Sequence, residues 1–346
     1  MQNKLWIKPL VGLVGFFVAF LLVFSVFQMK VEAATNMPFS VSAVLPDNQV
    51  DKSKTYFDLQ MRPGENQIIE VELVNASDRE LTVETHANTA ITNDNGIVDY
   101  SYTGKKMDPT LKVPFSKVAK VTTDTTIPKK GTRRVKIALS MPEQPFSGVI
   151  LGGLHFKEKE PPRSKTKEEK GVQIENKYAF VIGVVLRESE EKVKPTFKLG
   201  KIQPSQINFR NVLKAEVSNP VPVIISDMEI QAHVTKRAKK KVLFETNREH
   251  MRMAPNSHFD YGISWENQAF QSGKYTLHMT LKAKGKTWKW TKDFEIDRKE
   301  AKKYNDRAVE LEKDYTMYYI IGGAVLVLVL LILVYWLGRR SHKKAN

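Results

Sequence analysis

The residues able to do chemistry in this sequence are few and scattered. The chain has no cysteine, which removes thiolate nucleophiles, Cys-based metal sites and disulfides together. Its seven histidines are spread out, and no H-E-x-x-H, G-x-S-x-G or Walker pattern occurs. His86, His233 and His278 fall inside alternating stretches, where a half-exposed sheet position accounts for them. A hydrolase could use a carboxylate pair, but Glu70 and Glu72 alternate with apolar residues and so share a solvated face. No catalytic residue, metal ligand or cofactor is assigned, and the chain is read as not an enzyme. Two sets of residues could instead bind. Trp288 and Trp290 lie two apart on one face of a strand, with Lys286 and Lys289 beside them. Aromatic planes next to cations suit sugars or an acidic partner; the other reading is two core positions. Asn93-Asp94-Asn95-Gly96 is a turn signal first, and Asn93, Asn95 and the nearby Tyr100 are its candidate ligand-binding residues.

The elements that must position these residues are strands. Ile69, Val71 and Leu73 alternate with Glu70 and Glu72, Leu81 and Val83 with Thr82 and Glu84, and Val135, Ile137 and Leu139 with Arg134 and Lys136. That is the period of half-buried antiparallel strands. Gly148 to Leu151 and Tyr178 to Leu186 are nearly continuous apolar runs, as in central strands. The stretch Lys157 to Lys170, with Pro161-Pro162, reads as an exposed hairpin tip or a polyanion clamp. A polar stretch, Arg187 to Pro195, ends the first series. Seven further runs follow: Phe197 to Ile202, Leu213 to Ser218, Met228 to Thr235, Val242 to Glu245, Phe259 to Trp265, Tyr275 to Ala283 and Trp288 to Ile296. The last two are joined by a tight hairpin across Lys284-Gly285-Lys286. The fold expected is all-β, two immunoglobulin-like β-sandwich domains in tandem. A short echo links them: Val71-Glu72-Leu73-Val74-Asn75 in the first, Ala215-Glu216-Val217-Ser218-Asn219 in the second. Beyond the strands, Ala301, Tyr304, Ala308, Leu311 and Tyr315 form one stripe of a helix, read as a stalk.

The two ends address the chain to a membrane. Lys4 and Lys8 precede an apolar run from Leu10 to Phe27, and Val31-Glu32-Ala33 offers a small-residue cut site, so residues 1–33 read as a signal peptide. An uncleaved anchor is the alternative. Tyr318 to Leu337 is free of charge and, at about 1.5 Å per residue, spans one hydrocarbon thickness. Tyr318, Tyr319, Tyr335 and Trp336 sit at its ends, and Arg339, Arg340, Lys343 and Lys344 follow, as in a cytoplasmic flank. The expected organisation is signal 1–33, first sandwich 34–190, second sandwich 191–297, stalk 298–317, transmembrane helix 318–337 and basic tail 338–346.

The formal charge is +16. Setting aside signal and tail leaves about +10 outside the membrane, which attracts polyanions. An exported chain of this size without disulfides fits a bacterium with one membrane and a thick wall. Wall polymers are then the natural anions, and nucleic acid is not expected.

Several segments carry a resemblance. They are Pro38-Phe39-Ser40-Val41 through Pro46-Asp47-Asn48-Gln49, Tyr56-Phe57-Asp58-Leu59 with Arg62-Pro63-Gly64, Ala90 to Gly96 with Tyr100, and Gly148 to Leu154. With the signal, the second β domain, the terminal span and the basic tail, the chain resembles the WxL-interacting cell-surface proteins of Gram-positive bacteria. The resemblance implies a first domain, 34–190, that binds peptidoglycan and a second, 191–297, that binds host extracellular-matrix proteins. It also implies partnership with WxL-domain surface proteins, and so a non-catalytic scaffold or adhesin component. The competing expectation is a cell-wall remodelling enzyme with an unrecognised carboxylate site.

Overall fold

A computed structural model describes residues 37–101, 104, 106–160, 177–311 and 316–342, and within the last helix the side chains of 319–333. The signal segment 1–33, residues 161–170 of the charged loop, Tyr315 and the last residues of the basic tail, 343–346, lie outside the described residues, as do the side chains of Tyr318, Tyr335 and Trp336.

The alternating stretches are strands, as their period requires. In chain order the first half holds β1 (Phe39–Val44), β2 (Phe57–Gln60), β3 (Asn66–Asn75), β4 (Leu81–Thr89), β5 (Ile91–Thr92), β6 (Val98–Asp99), the short helix α1 (Phe115–Val118), β7 (Ala119–Val121), β8 (Asp124–Ile127), β9 (Thr132–Ser140), β10 (Ile150–Glu158) and β11 (Ala179–Arg187). They form sheets of order β1-β3-β9-β7 and β2-β11-β10-β4-β8, with β5-β6 as a separate hairpin. Ile69, Val71, Leu73 and Ile137 of one sheet meet Val83, Leu154, Phe156 and Val184 of the other in one buried cluster. The continuous apolar runs are interior strands, β10 and β11, of the five-stranded sheet.

The second half holds β12 (Lys198–Ile207), β13 (Arg210–Asn219), β14 (Ile225–Lys236), β15 (Val242–Met253), β16 (Ser257–Ser264), β17 (Gly273–Ala283) and β18 (Lys286–Ile296). The seven runs read from the sequence fall on these seven strands. Their sheets, β12-β13-β16 and β15-β14-β17-β18, enclose a second cluster. Its centre is Trp265, 1% exposed and stacked on Phe244 with ring centroids 4.1 Å apart. The turn between β17 and β18 is Lys284-Gly285, both with positive φ, at 48° and 72°. This is the two-residue hairpin that matches strand twist.

The echo between the halves has a physical basis. Asn75 closes β3 and Asn219 closes β13, and both are buried. Each donates from Nδ2 to the carbonyl four residues on, Asn75 to Arg79 at 2.7 Å and Asn219 to Val223 at 2.8 Å. Each then ties a second chain segment, at Ile127 (3.2 Å) and Ala254 (2.9 Å) respectively. A buried amide must find such partners, so the same residue ends the same strand twice.

The stalk differs from expectation. α2 (Arg298–Asn305) begins on the Asp297 side chain, which accepts from Glu300 N, but ends at Asn305 rather than continuing. Asn305 Oδ1 accepts from Phe270 N at 2.8 Å and Asn211 Nδ2 at 3.0 Å, and Gln206 donates to Tyr304 O at 2.7 Å. Gln206 thus takes a main-chain acceptor of the last turn, while the Asn305 side chain is fastened to Asn211 and Phe270. Ala301 and Tyr304 of the predicted stripe face the second core instead. α3 (Thr316–His342) is a separate helix of 27 residues. Among the fully described residues no helix is long and apolar enough to cross a membrane.

Trp265→Ala empties the centre of the second core and is expected to cost about 3–5 kcal/mol, measured as a lowered urea midpoint of the full chain. A change below ~1 kcal/mol contradicts this reading of the core.

Candidate functional site

The sequence candidates Asn93, Asn95 and Tyr100 come together where the two halves meet. In the β5–β6 turn Asn93 Oδ1 accepts from Asn95 N at 3.0 Å and Ile97 N at 3.2 Å. Gly96 follows with φ at +70°. The Asn93 side chain is thus occupied in shaping its own turn, and Asn95 is exposed beside it.

That turn is pressed onto the second half. Arg252 N donates to Gly96 O at 2.7 Å, and a Cβ at Gly96 would lie 2.2 Å from Met251 Cε. Asp94 Oδ2 pairs with Lys214 Nζ at 2.8 Å, and Asp94 Oδ1 accepts from Asp260 N at 3.2 Å. Burial alone would push the Lys214 ammonium down, but the Asp94 and Asp260 carboxylates outweigh it and hold it above the usual lysine range. Just behind, Thr92 Oγ1 and Ser257 Oγ meet at 2.6 Å, and Thr92 Oγ1 also accepts from Ala254 N at 3.0 Å.

A second polar contact lies on the same line. His258 Nδ1 is 2.9 Å from Asp108 Oδ2, and Thr110 gives Asp108 Oδ1 both its N–H and its hydroxyl. Burial works against the charged Asp108. The Thr110 hydrogen bonds and then His258 overcome it and hold the carboxyl below the ordinary range. Between these contacts Ala90, Leu151 and Val185 pack on Ala254, and Val149 N donates to Pro222 O at 2.9 Å.

Tyr100 lies on this seam because two glycines admit it. Gly153 and Gly183 sit opposite one another on β10 and β11. A Cβ at Gly153 would be 2.8 Å from the Tyr100 ring, while the Tyr100 hydroxyl reaches to 3.8 Å from the same position on Gly183. Gly152, pointing the other way, makes room for Phe115 in the core, 1.9 Å from its own hypothetical Cβ. The adjacent glycines thus serve opposite faces of one strand. Burial raises the Tyr100 phenol above its usual value.

Trp288 and Trp290 lie on the edge strand β18 and take no part in these seam contacts. Both are half-buried and pack on the second core, Trp288 edge-on to Phe197 with centroids 4.7 Å apart. The structure therefore separates the five candidates into a seam group and an edge-strand pair. It adds Asp94, Lys214, Thr92, Ser257, Asp108 and His258, which the sequence did not single out. Beside the seam runs a cleft of about 540 Å³ walled by Leu111, Val113, Phe146, Val149 and Pro222, with Asn256 at its polar side. Its size and apolar lining are those of a binding cleft between two bodies. Among the described residues no group of three or more His, Asp or Glu is placed to hold a metal ion.

A family model described as WxL Interacting Protein, peptidoglycan binding domain, matches residues 39–158. One described as WxL Interacting Protein, host binding domain, matches residues 169–306. No curated protein sequence matches the chain. Among solved structures, the YadV chaperone is similar at 13% identity over 75% of this chain and 100% of its own, with a TM-score of 0.31. The CupB2 chaperone of Pseudomonas aeruginosa is similar at 13% identity, over 69% and 97% of the two chains, with a TM-score of 0.27. The E. coli chaperone DraB is similar at 16% identity, over 75% and 98%, with a TM-score of 0.28.

Gly96→Val places a side chain against Met251 and strains a left-handed position. The seam is expected to loosen by roughly 1–3 kcal/mol, seen as faster proteolysis between residues 187 and 198 with both cores still cooperative. Asp108 supplies a pH test. An acid whose folded pKa is depressed adds stability above its unfolded pKa, near 4, and loses it as pH falls through the folded value. The denaturation midpoint should therefore fall less in Asp108→Asn than in the natural chain between about pH 5 and pH 2.5; parallel curves count against the contact.

Proposed function

The chain belongs to the WxL-interacting protein family, and on that basis we propose that it is a membrane-anchored, non-catalytic surface scaffold that binds peptidoglycan through its first half and host matrix proteins through its second, in company with WxL-domain proteins. The observation that carries this reading is the match of both family domains, in that order, across residues 39–158 and 169–306. The strongly basic composition, +16 overall, supports a place among anionic wall polymers.

The anchor is α3. Every described side chain in it, 319–333, is exposed, among them Ile320 at 61%, Leu326 at 63% and Leu331 at 65%. Such a helix has no protein surface to cover it, and burying it in hydrocarbon gains about 25 cal/mol for each Å². The basic residues from Arg339 onward then lie on the cytoplasmic side. The rigid seam serves the scaffold by fixing the two binding halves to each other. The remaining alternative is a wall-remodelling enzyme using a carboxylate pair.

Isolated cell wall incubated with the detergent-solubilised full chain tests the reading. Retention at physiological salt is expected, and part of it should persist at about 0.5 M, where pure charge attraction is screened within ~4 Å. No retention, or release of soluble wall fragments, sinks it, the second in favour of the enzyme.

A further inference from the structure

The end of the second half away from the seam carries an unusual turn. β12 and β13 are joined by Asn208-Phe209, with Ile207 paired to Arg210. Both turn residues have positive φ, 51° and 61°. The second position of such a turn is the place for glycine, and the Lys284-Gly285 turn at the opposite end obeys that rule. Here the residue is phenylalanine, 63% exposed, the most exposed large apolar side chain among the described residues before α3. A bulky residue held in the left-handed region is an outlier of the kind kept at functional sites. Its neighbours share its exposure: Ile207 at 40% and Val309 at 47%.

The chain leaves for α3 from this point. Val309 N donates to Phe209 O at 3.0 Å, and Glu310 pairs with Arg210 at 2.5 Å. From Val309, which bonds the turn, to Thr316 is seven residues, so the apolar helix starts within about 25 Å of it. The same end is basic. The turn from β14 to β15 carries Arg237, Lys239, Lys240 and Lys241, all exposed. It lies at this end because Lys236 pairs with Tyr275 near the start of β17, and Gly273 pairs with Ile296, just before α2. Asp293 pairs with Arg237 at 3.0 Å, whereas Lys239, Lys240 and Lys241 have no carboxylate partner among the described residues. Arg298 and Lys299 of α2 add to the patch.

Exposed aromatic and aliphatic groups at the same end as a run of lysines, within a short tether of an apolar helix, match an anionic lipid surface. We propose that this end of the second half is a membrane-docking surface: Phe209 and Ile207 enter the headgroup layer of a bilayer containing anionic phospholipid, while Lys239, Lys240 and Lys241 meet its phosphates. This inference rests on α3 crossing the membrane. It adds that the ectodomain lies down on that membrane by its own surface rather than swinging free on a tether.

The absence of native cysteine lets single labels report on both claims. Full-length chains carrying a nitroxide at Asn208→Cys or at Val327→Cys would be reconstituted into vesicles of phosphatidylcholine with or without phosphatidylglycerol. Collisions with oxygen, which partitions into lipid, would be compared with those of a water-soluble nickel chelate. The 208 label should gain lipid contact about fivefold with phosphatidylglycerol present. It should lose that contact in Phe209→Gly, which suits the turn and so keeps the fold, and in the triple change of Lys239, Lys240 and Lys241 to Gln. A 208 label in water beside a 327 label deep in lipid overturns docking and leaves the span intact. Contact at 208 that survives Phe209→Gly, or that is equal in pure phosphatidylcholine, also overturns it. A 327 label in water overturns the span and docking together.

Discussion

The joint behaviour of the two halves depends on the burial of the β5–β6 hairpin against the second half. A flexible join would leave two independent sandwiches on a string. Here the tip is fixed by complementary contacts of three kinds: backbone to backbone at Gly96 and Arg252, charge to charge at Asp94 and Lys214, and hydroxyl to hydroxyl at Thr92 and Ser257. The charge pair is only partly desolvated, with Lys214 at 18% and Asp94 at 37% side-chain exposure, so it contributes modestly on its own. What makes the seam hold is that these polar contacts are satisfied together while Ala90, Leu151, Val185 and Ala254 pack between them. Gly96 and Gly148 leave no room for a side chain: both have positive φ, and a Cβ would meet Met251 at the first and the Pro222 carbonyl at the second.

That seam sets geometry at long range. The loops touching the first half, around Pro222 and Ala254, close one end of the second sandwich, and the chain departs toward α3 from the other. β14 and β15 are 12 residues each, so at about 3.3 Å per residue the second half is roughly 40 Å tall. On the membrane-anchored reading proposed above, the first half would stand at about that height above the bilayer. A free linker could not maintain that spacing; a stack of two sandwiches with a closed seam can.

Most of the fold was legible because its strands are half-buried, and half-burial writes a period of two into the sequence. All seven strands of the second half could be read that way, and β10 and β11 announced themselves by unbroken apolar runs. What escaped was whatever depends on partners distant in sequence. Ala301 and Tyr304 do lie on a helical stripe, but the helix stops where Gln206 takes the Tyr304 carbonyl and Asn211 and Phe270 hold the Asn305 side chain, and nothing local records that. Asn93 to Gly96 could be read as a turn, yet its role comes from Met251 and Lys214, more than a hundred residues on. Gly152-Gly153 could be read as strand; that the pair makes room for Phe115 on one face and Tyr100 on the other required the fold.

The repeated asparagine sharpens how the halves differ. In the sheet β1-β3-β9 and in the sheet β12-β13-β16 the strand in second place ends on a buried asparagine that ties its own next turn and a distant segment. The shared solution points to two versions of one architecture. The difference lies in how the first two strands of each sheet are joined. In the first half the connection from β1 to β3 is long enough to carry β2, which pairs in parallel with β11 and extends the opposite sheet. In the second half it is cut to Asn208-Phe209. Shortening a connection to two residues normally selects glycine, since the turn must run through positive φ. A phenylalanine there strains the turn and leaves the residue 63% exposed. The docking proposed above, in which α3 crosses a membrane, would give that exposed ring an apolar phase to enter.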